Sequence, residues 1–159
     1  MKLNKIETVA GIVLAILLAT VTLMSSIFFL VTIKVGFINW ISFNSCSFIS
    51  ILYLISLIAF FICKKSVLLV LTTLPFYFLG TMSMFFMPWD SSMFIAQIGH
   101  IIMTLNISWV LYVVIKHKEY KALAIGLLAG MLIFVPFIAH VQTYNQKHAT
   151  ELSDALKGQ

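Results

Sequence analysis

The sequence predicts an all-α, polytopic membrane protein: a bundle of five transmembrane helices. The first observation is composition, because the chain is 62% hydrophobic and only 9% charged, whereas a soluble domain has about 25% charged residues. The second is that charged residues divide the chain into five uncharged windows, at residues 8–33, 35–63, 66–89, 91–115 and 122–146. Each window exceeds the roughly 20 residues with which a helix crosses the hydrocarbon layer. Backbone groups in lipid must be satisfied internally, so each window should be helical.

Allowing for polar ends, we place the spans at residues 9–32, 38–62, 67–87, 93–115 and 122–141. A polar tail, residues 142–159, should continue the last helix and fray. No linker interrupts the series, so we expect one membrane domain over residues 1–159.

Proline and capping residues predict how individual helices bend or end. Pro88 should end the third helix, and Asp90 or Ser91 can cap the fourth. Pro75 should kink the third helix, and Pro136 should bend the outer end of the fifth.

The lysines predict orientation, since cytoplasmic loops are enriched in them. Five spans place seven lysines on one side of the membrane: Lys2, Lys5, Lys64, Lys65, Lys116, Lys118 and Lys121. The other side holds Lys34, Lys147 and Lys157. We therefore expect a cytoplasmic N-terminus, an outside C-terminus and a multi-pass position in the lipid bilayer of the cell (cytoplasmic) membrane.

Polar residues form stripes on three of the predicted helices. At 100° per residue, the fourth span groups its polar side chains within about 120°, and the second within about 140°. These residues, with those of the third span, are the candidate binding set: Asn39, Ser42, Cys46, Ser50, Tyr53, Thr73, Tyr77, Gln97, His100, Thr104, Ser108 and Tyr112. Helices 2, 3 and 4 should therefore surround a polar centre, which either is closed by interhelical hydrogen bonds or lines a polar pathway.

His100 is the histidine that lies well inside a predicted span. A proton relay normally pairs such a residue with a carboxylate, but no Asp, Glu or Lys falls within any predicted span. We expect a neutral imidazole that is hydrogen-bonded to a neighbouring Ser or Tyr.

The fifth span carries small residues at intervals of four: Ala122, Gly126 and Gly130. Such a strip allows a second helix backbone to approach closely. It predicts either packing within the chain or dimerisation.

No metal or cofactor is expected. Met82, Met84, Met87 and Met93 are soft side chains that suit Cu(I), but Met82 and Met84 point to different faces of a helix. Cys46 and Cys63 lie about 25 Å apart along a single helix, too far for a disulfide.

Enzymatic and nucleic-acid functions are also not expected. No paired acids, nucleophile–base motif or phosphate-binding loop is present. All ten basic residues are lysine, so the chain lacks the arginine that usually makes bidentate contacts with phosphate and guanine.

The remaining expectation is a non-catalytic membrane protein that acts through helix–helix contacts, as an accessory subunit, regulator or immunity-type protein. It would bind a partner membrane protein or a second copy of itself. The alternative is a small oligomeric transporter or channel for a polar solute or ion, lined by helices 2–4. A continuous polar cavity lined by Asn39, Tyr53, Tyr77, Gln97 and His100 would favour the alternative.

Overall fold

The computed structural model describes residues 1–86, 89 and 94–151, and every regular element in them is helical. The helices are α1 (Lys5–Ile27), α2 (Phe37–Phe43), α3 (Ser45–Cys63), α4 (Ser66–Val70), α5 (Thr73–Phe76), α6 (Ser83–Phe86), α7 (Phe94–Lys116) and α8 (Tyr120–Lys147). Two π-helical turns, Phe28–Thr32 and Tyr77–Thr81, extend α1 and α5.

Five helical segments of the described chain are long and apolar enough to cross a membrane. They are Lys5–Thr32, Ser45–Cys63, Ser66–Phe86, Phe94–Lys116 and Tyr120–Lys147, here named the first to fifth spans. The predicted all-α class and the number of apolar spans are therefore confirmed, and the chain is compatible with a multi-pass membrane protein.

The second span is shorter than predicted because the helix breaks at Asn44, which has φ −120° and ψ 42°. The Asn44 amide exchanges hydrogen bonds with the Ser25 hydroxyl at 3.0–3.2 Å and accepts one from Ser47 at 2.9 Å. A buried Asn side chain that bonds locally competes with the helical backbone. The residues before it form the separate helix α2, on which Phe37 and Ile38 are exposed.

The third span is also broken, at Leu71 and Thr72, between α4 and α5. Pro75 lies four residues after Leu71. It has no N–H to donate to the Leu71 carbonyl, and its ring would collide with that oxygen in a regular helix. The predicted distortion at Pro75 is thus confirmed, one turn before the proline itself.

The fourth span is the centre of the packing. Half of its most apolar window is buried, compared with 11% for the first span. Val110, Val113 and Val114 of α7 are almost fully enclosed. The first span packs against α7 and α3, and α8 packs against α4 and α5. Large apolar side chains cover the outer faces of the first and fifth spans.

The last helix continues through Pro136 to Lys147, six residues beyond the predicted end of the span. The Tyr144 hydroxyl donates to Asn39 Oδ1 at 2.7 Å, and Asn145 Nδ2 donates to the Ser42 carbonyl at 3.1 Å. These bonds to α2 stabilise a segment that was expected to fray. The predictions for Met87, Pro88, Asp90, Ser91 and Met93, and for residues 152–159, fall outside the described residues.

The N-terminus and two of the loops meet at one end of the bundle, as the alternation of five spans requires. The Met1 ammonium donates to the Lys64 carbonyl at 3.0 Å and lies 3.7 Å from the Glu119 carboxylate. The three lysine-bearing segments therefore share one surface.

Candidate functional site

A thiol–imidazole pair joins the second and fourth spans in the interior. His100 Nε2 lies 3.3 Å from Cys46 Sγ, and the Cys46 thiol donates to the Leu79 carbonyl of the third span at 2.9 Å. His100 is 4% exposed. The partner of His100 is therefore a cysteine, not the Ser or Tyr predicted, because α3 places Cys46 opposite the imidazole.

A second contact joins the third and fourth spans one turn along α7. The Thr104 hydroxyl donates to the His100 carbonyl at 2.9 Å, so the Thr81 hydroxyl must donate in the 3.0 Å contact between the two threonines. Ser50 donates to the Cys46 carbonyl at 2.8 Å, and Gln97 is 1% exposed. The N-terminal half of the predicted stripe on α7, at His100 and Thr104, thus faces the second and third spans.

The C-terminal half of that stripe does not face these spans. Ser108 and Tyr112 are exposed, and the Ser108 hydroxyl donates to its own helix at Thr104 O, 2.9 Å away. The buried face of α7 at this level instead carries Asn106, which is 0% exposed and donates to the Ile102 carbonyl at 2.9 Å. Ser108 and Tyr112 therefore depart from the prediction, because the first span packs on the opposite side of α7 from them.

Other members of the candidate set are separated from this centre. Asn39 and Ser42 bind α8, as described above. The Tyr53 ring packs against Phe76, with centroids 4.6 Å apart, and Thr73 is buried nearby on α5. Tyr77 is 45% exposed on the outer surface of the third span. Asn39 therefore bonds to the last helix and Tyr77 lies at the surface, whereas His100 bonds within the interior.

A surface groove does lie between the third and fifth spans. It encloses about 190 Å³ and is lined by Phe78, Val135, Ile138, Ala139 and Gln142. None of the candidate polar residues contributes to this lining.

A charged cluster that the sequence analysis missed joins the first and fourth spans. Glu7 is only 3% exposed, and its carboxylate lies 2.7 Å from Lys116 Nζ and 3.0 Å from His117 Nε2. The Trp109 indole N–H donates to the Glu7 carbonyl at 3.1 Å. Glu7 and Asn4 also form a capping box that begins α1.

The capping box could have been read from the sequence, because Asn-x-x-Glu before an apolar run is its signature. The bonds from Glu7 to Lys116 and His117 could not, since they join residues about a hundred positions apart.

The strip of small residues on α8 lies against the third span. A Cβ atom added at Gly126 would lie 2.6 Å from Val70 Cβ, and one added at Gly130 would lie 2.5 Å from the Leu71 carbonyl oxygen. Ala122 is 8% exposed in the same interface. Of the two alternatives left by the sequence, the described structure places this strip in packing within the chain.

In the described ranges, no group of three or more His, Cys, Asp or Glu side chains is arranged to hold a metal ion. Comparison of the chain with protein-family models, with curated proteins and with solved structures finds no match.

Proposed function

We propose that this protein is a non-catalytic integral membrane protein that acts through contacts of its helices with a partner. The partner is another membrane protein or a second copy of the chain. The N-terminus faces the cytoplasm and the C-terminus faces outside.

The observation that carries the proposal is the closure of the polar centre. Cys46 bonds to His100 and Leu79, and Thr81 bonds to Thr104. Polar groups that bond to each other across helices stabilise a bundle. The bonding of Asn39 to α8 and the surface position of Tyr77 favour this function over the transporter alternative.

The contact face we favour is the exposed side of the fourth span. It carries Ser108 and Tyr112 among Ile101, Leu105 and Ile115. Side chains that can hydrogen-bond on a lipid-facing helix are the groups that a neighbouring transmembrane helix uses. A helix docked on this face would lie beside the central helix of the bundle.

Photo-crosslinking in intact cells tests this face. A photoreactive residue in place of Ser108 should give one discrete protein adduct, which mass spectrometry identifies as a partner or as a second copy. The matched control is Leu132 on the fifth span, which is 80% exposed and has apolar neighbours; it should give lipid adducts only.

Measurements of proton and ion flux in reconstituted liposomes test the transporter alternative. Under our proposal, neither wild-type protein nor His100→Gln changes proton or ion flux, because Gln retains a donor and an acceptor in a closed core. Flux through the wild type that is lost in a well-folded His100→Gln variant, with no adduct at Ser108, would contradict our proposal and favour the transporter.

A further inference from the structure

We propose that four lysines at one end of the bundle form a docking surface for the headgroup of an anionic phospholipid. This basic cluster consists of Lys2, Lys64, Lys65 and Lys118. The proposal goes beyond the proposed function, which concerns a protein partner, and it does not depend on which side of the membrane this end faces.

Three segments that are distant in sequence bring the basic cluster together. The Met1 nitrogen lies 3.0 Å from the Lys64 carbonyl oxygen and 3.7 Å from the Glu119 carboxylate. Each of these three residues either belongs to the cluster or is the sequence neighbour of one of its lysines. The contact at Met1 therefore places all four lysines at one corner of the bundle.

The ammonium groups of the basic cluster have no acidic partner among the described residues. All four side chains are exposed, and no described carboxylate lies within 4.0 Å of their Nζ atoms. The two acids at this end contact other cations, since Glu119 lies 3.7 Å from the Met1 nitrogen and Glu7 lies 2.7 Å from Lys116 Nζ. Like charges repel each other, so an anion bound among the four lysines would stabilise them.

The depth of the basic cluster selects a lipid headgroup as that anion. Lys64 and Lys65 alone join the second and third spans, and Lys118 lies in the short loop between the fourth and fifth. Loops this short hold the ammonium groups where the apolar spans end, which is the depth of the lipid phosphates.

Apolar surface continues from the lysines towards the middle of each span. Lys64 Nζ lies 5.5 Å from the centre of the Phe61 ring, and Ile62 beside it is 75% exposed. Ile115, three residues before Lys118, is 49% exposed. A phospholipid can therefore place its phosphate among the lysines and its acyl chains along these apolar side chains.

Two lysines of the cluster occupy backbone positions that favour glycine. Lys64 and Lys118 have φ values of 57° and 56°, in the left-handed region where Gly is the usual residue after a helix because it has no Cβ atom. Gly at either position relieves backbone strain. Replacing both lysines by Gly therefore removes two charges while the fold is kept or gains stability.

The opposite end of the bundle supplies a matched control. Lys34, after the first span, has the same left-handed backbone, with φ 58°. Lys147 is an exposed lysine at the end of α8. The variant Lys34→Gly/Lys147→Gln removes the same number of charges as Lys64→Gly/Lys118→Gly, but away from the basic cluster.

The experiment measures the lipid selectivity of the full-length protein in phosphatidylcholine vesicles. Spin-labelled phosphatidylglycerol and phosphatidylcholine serve as trace probes, and electron paramagnetic resonance gives the fraction of each that the protein immobilises. At low salt, we expect the wild type to bind the anionic probe at least about threefold more strongly than the neutral one. Raising NaCl to about 0.5 M, which shortens the Debye length to about 4 Å, should lower this ratio.

The variants locate the effect. Lys64→Gly/Lys118→Gly should lower the selectivity ratio by about half or more, with a melting temperature in neutral detergent at or above that of the wild type. Lys2→Gln/Lys65→Gln, which changes no left-handed residue, should show the same loss of selectivity. The control Lys34→Gly/Lys147→Gln should keep the wild-type ratio.

Equal immobilisation of the two probes by the wild type would overturn the proposal and favour an acidic protein segment as the occupant. Full selectivity in both cluster variants would also overturn it, as would an equal loss in the control. Inorganic phosphate at matched ionic strength should lower the ratio no more than chloride does. A larger effect of phosphate would assign the basic cluster to a soluble phosphate compound and refute the lipid.

Discussion

The indole N–H of Trp109 donates a hydrogen bond to the backbone carbonyl of Glu7, 102 residues earlier, at 3.1 Å. This bond anchors the first span, the least buried of the five, to the central helix. Around it lie the Glu7 carboxylate with its partners Lys116 and His117 and the close contact of Gly11 with the Trp109 ring. The first span is therefore held at one end by a compact polar and aromatic cluster.

A Gly11→Ala substitution tests how closely Gly11 packs against the Trp109 ring. A Cβ atom at this position would collide with three carbon atoms of the Trp109 indole, so Gly11→Ala should destabilise the bundle by about 1–3 kcal/mol. Gly99→Ala is the control, because no heavy atom lies within 4 Å of its added Cβ. Thermal unfolding in one detergent compares them, and equal melting temperatures for the two variants would contradict the contact.

Glu7→Gln tests the charged cluster. The variant keeps the size of the side chain but removes the negative charge that Lys116 and His117 share, so we expect the melting temperature to fall by several °C. Glu119→Gln is the matched control, because its carboxylate is more exposed and lies 3.7 Å from its cationic partner. The prediction fails if Glu119→Gln lowers the melting temperature as much as Glu7→Gln.

Gly130→Leu tests the strip on α8. The added side chain would push against the Leu71 carbonyl, a backbone atom that cannot rotate away, and should cost at least about 1–3 kcal/mol or prevent folding. Ala124→Leu, on the exposed side of the same helix, should leave stability and size in detergent unchanged. A Gly130→Leu variant with wild-type stability would mean that the strip does not contact the third span.

Thr104→Val tests the interhelical hydrogen bond to Thr81. The change keeps the shape but removes the hydroxyl, and should cost about 0.6 kcal/mol, the average for such bonds in membrane proteins. Ser108→Ala removes a hydroxyl that bonds only to its own helix on an exposed face, so its cost should be near zero. Equilibrium unfolding measures both, and a larger cost for Ser108→Ala would reverse the assignment of faces on α7.

Labelling of introduced cysteines tests the orientation. In a Cys63→Ser background, an impermeant reagent added outside cells should label Lys34→Cys, in the loop after the first span, but not Lys118→Cys, in the loop after the fourth. The expectation follows from the excess of lysines on the side that holds Lys118. Labelling of position 118 and protection of position 34 would show the opposite topology.

The sequence by itself determined the number of apolar helices and which loops share an end. Both follow from one-dimensional patterns, since uncharged windows of roughly 20 residues predict spans and alternate loops must lie on the same side. The kink at Pro75 could also be predicted from the local sequence, because it depends on a missing N–H and the carbonyl four residues earlier.

Only the tertiary structure decided which face of each helix is buried. Periodicity grouped Ser108 and Tyr112 with His100, but the first span covers the opposite side of α7 and buries Asn106 there. The break at Asn44 and the pairs Cys46–His100 and Glu7–Lys116 likewise could not be predicted from the sequence. Their partners come from distant segments, and their meeting depends on how each helix is rotated and shifted against its neighbours, which no local pattern in an almost uniformly apolar chain specifies.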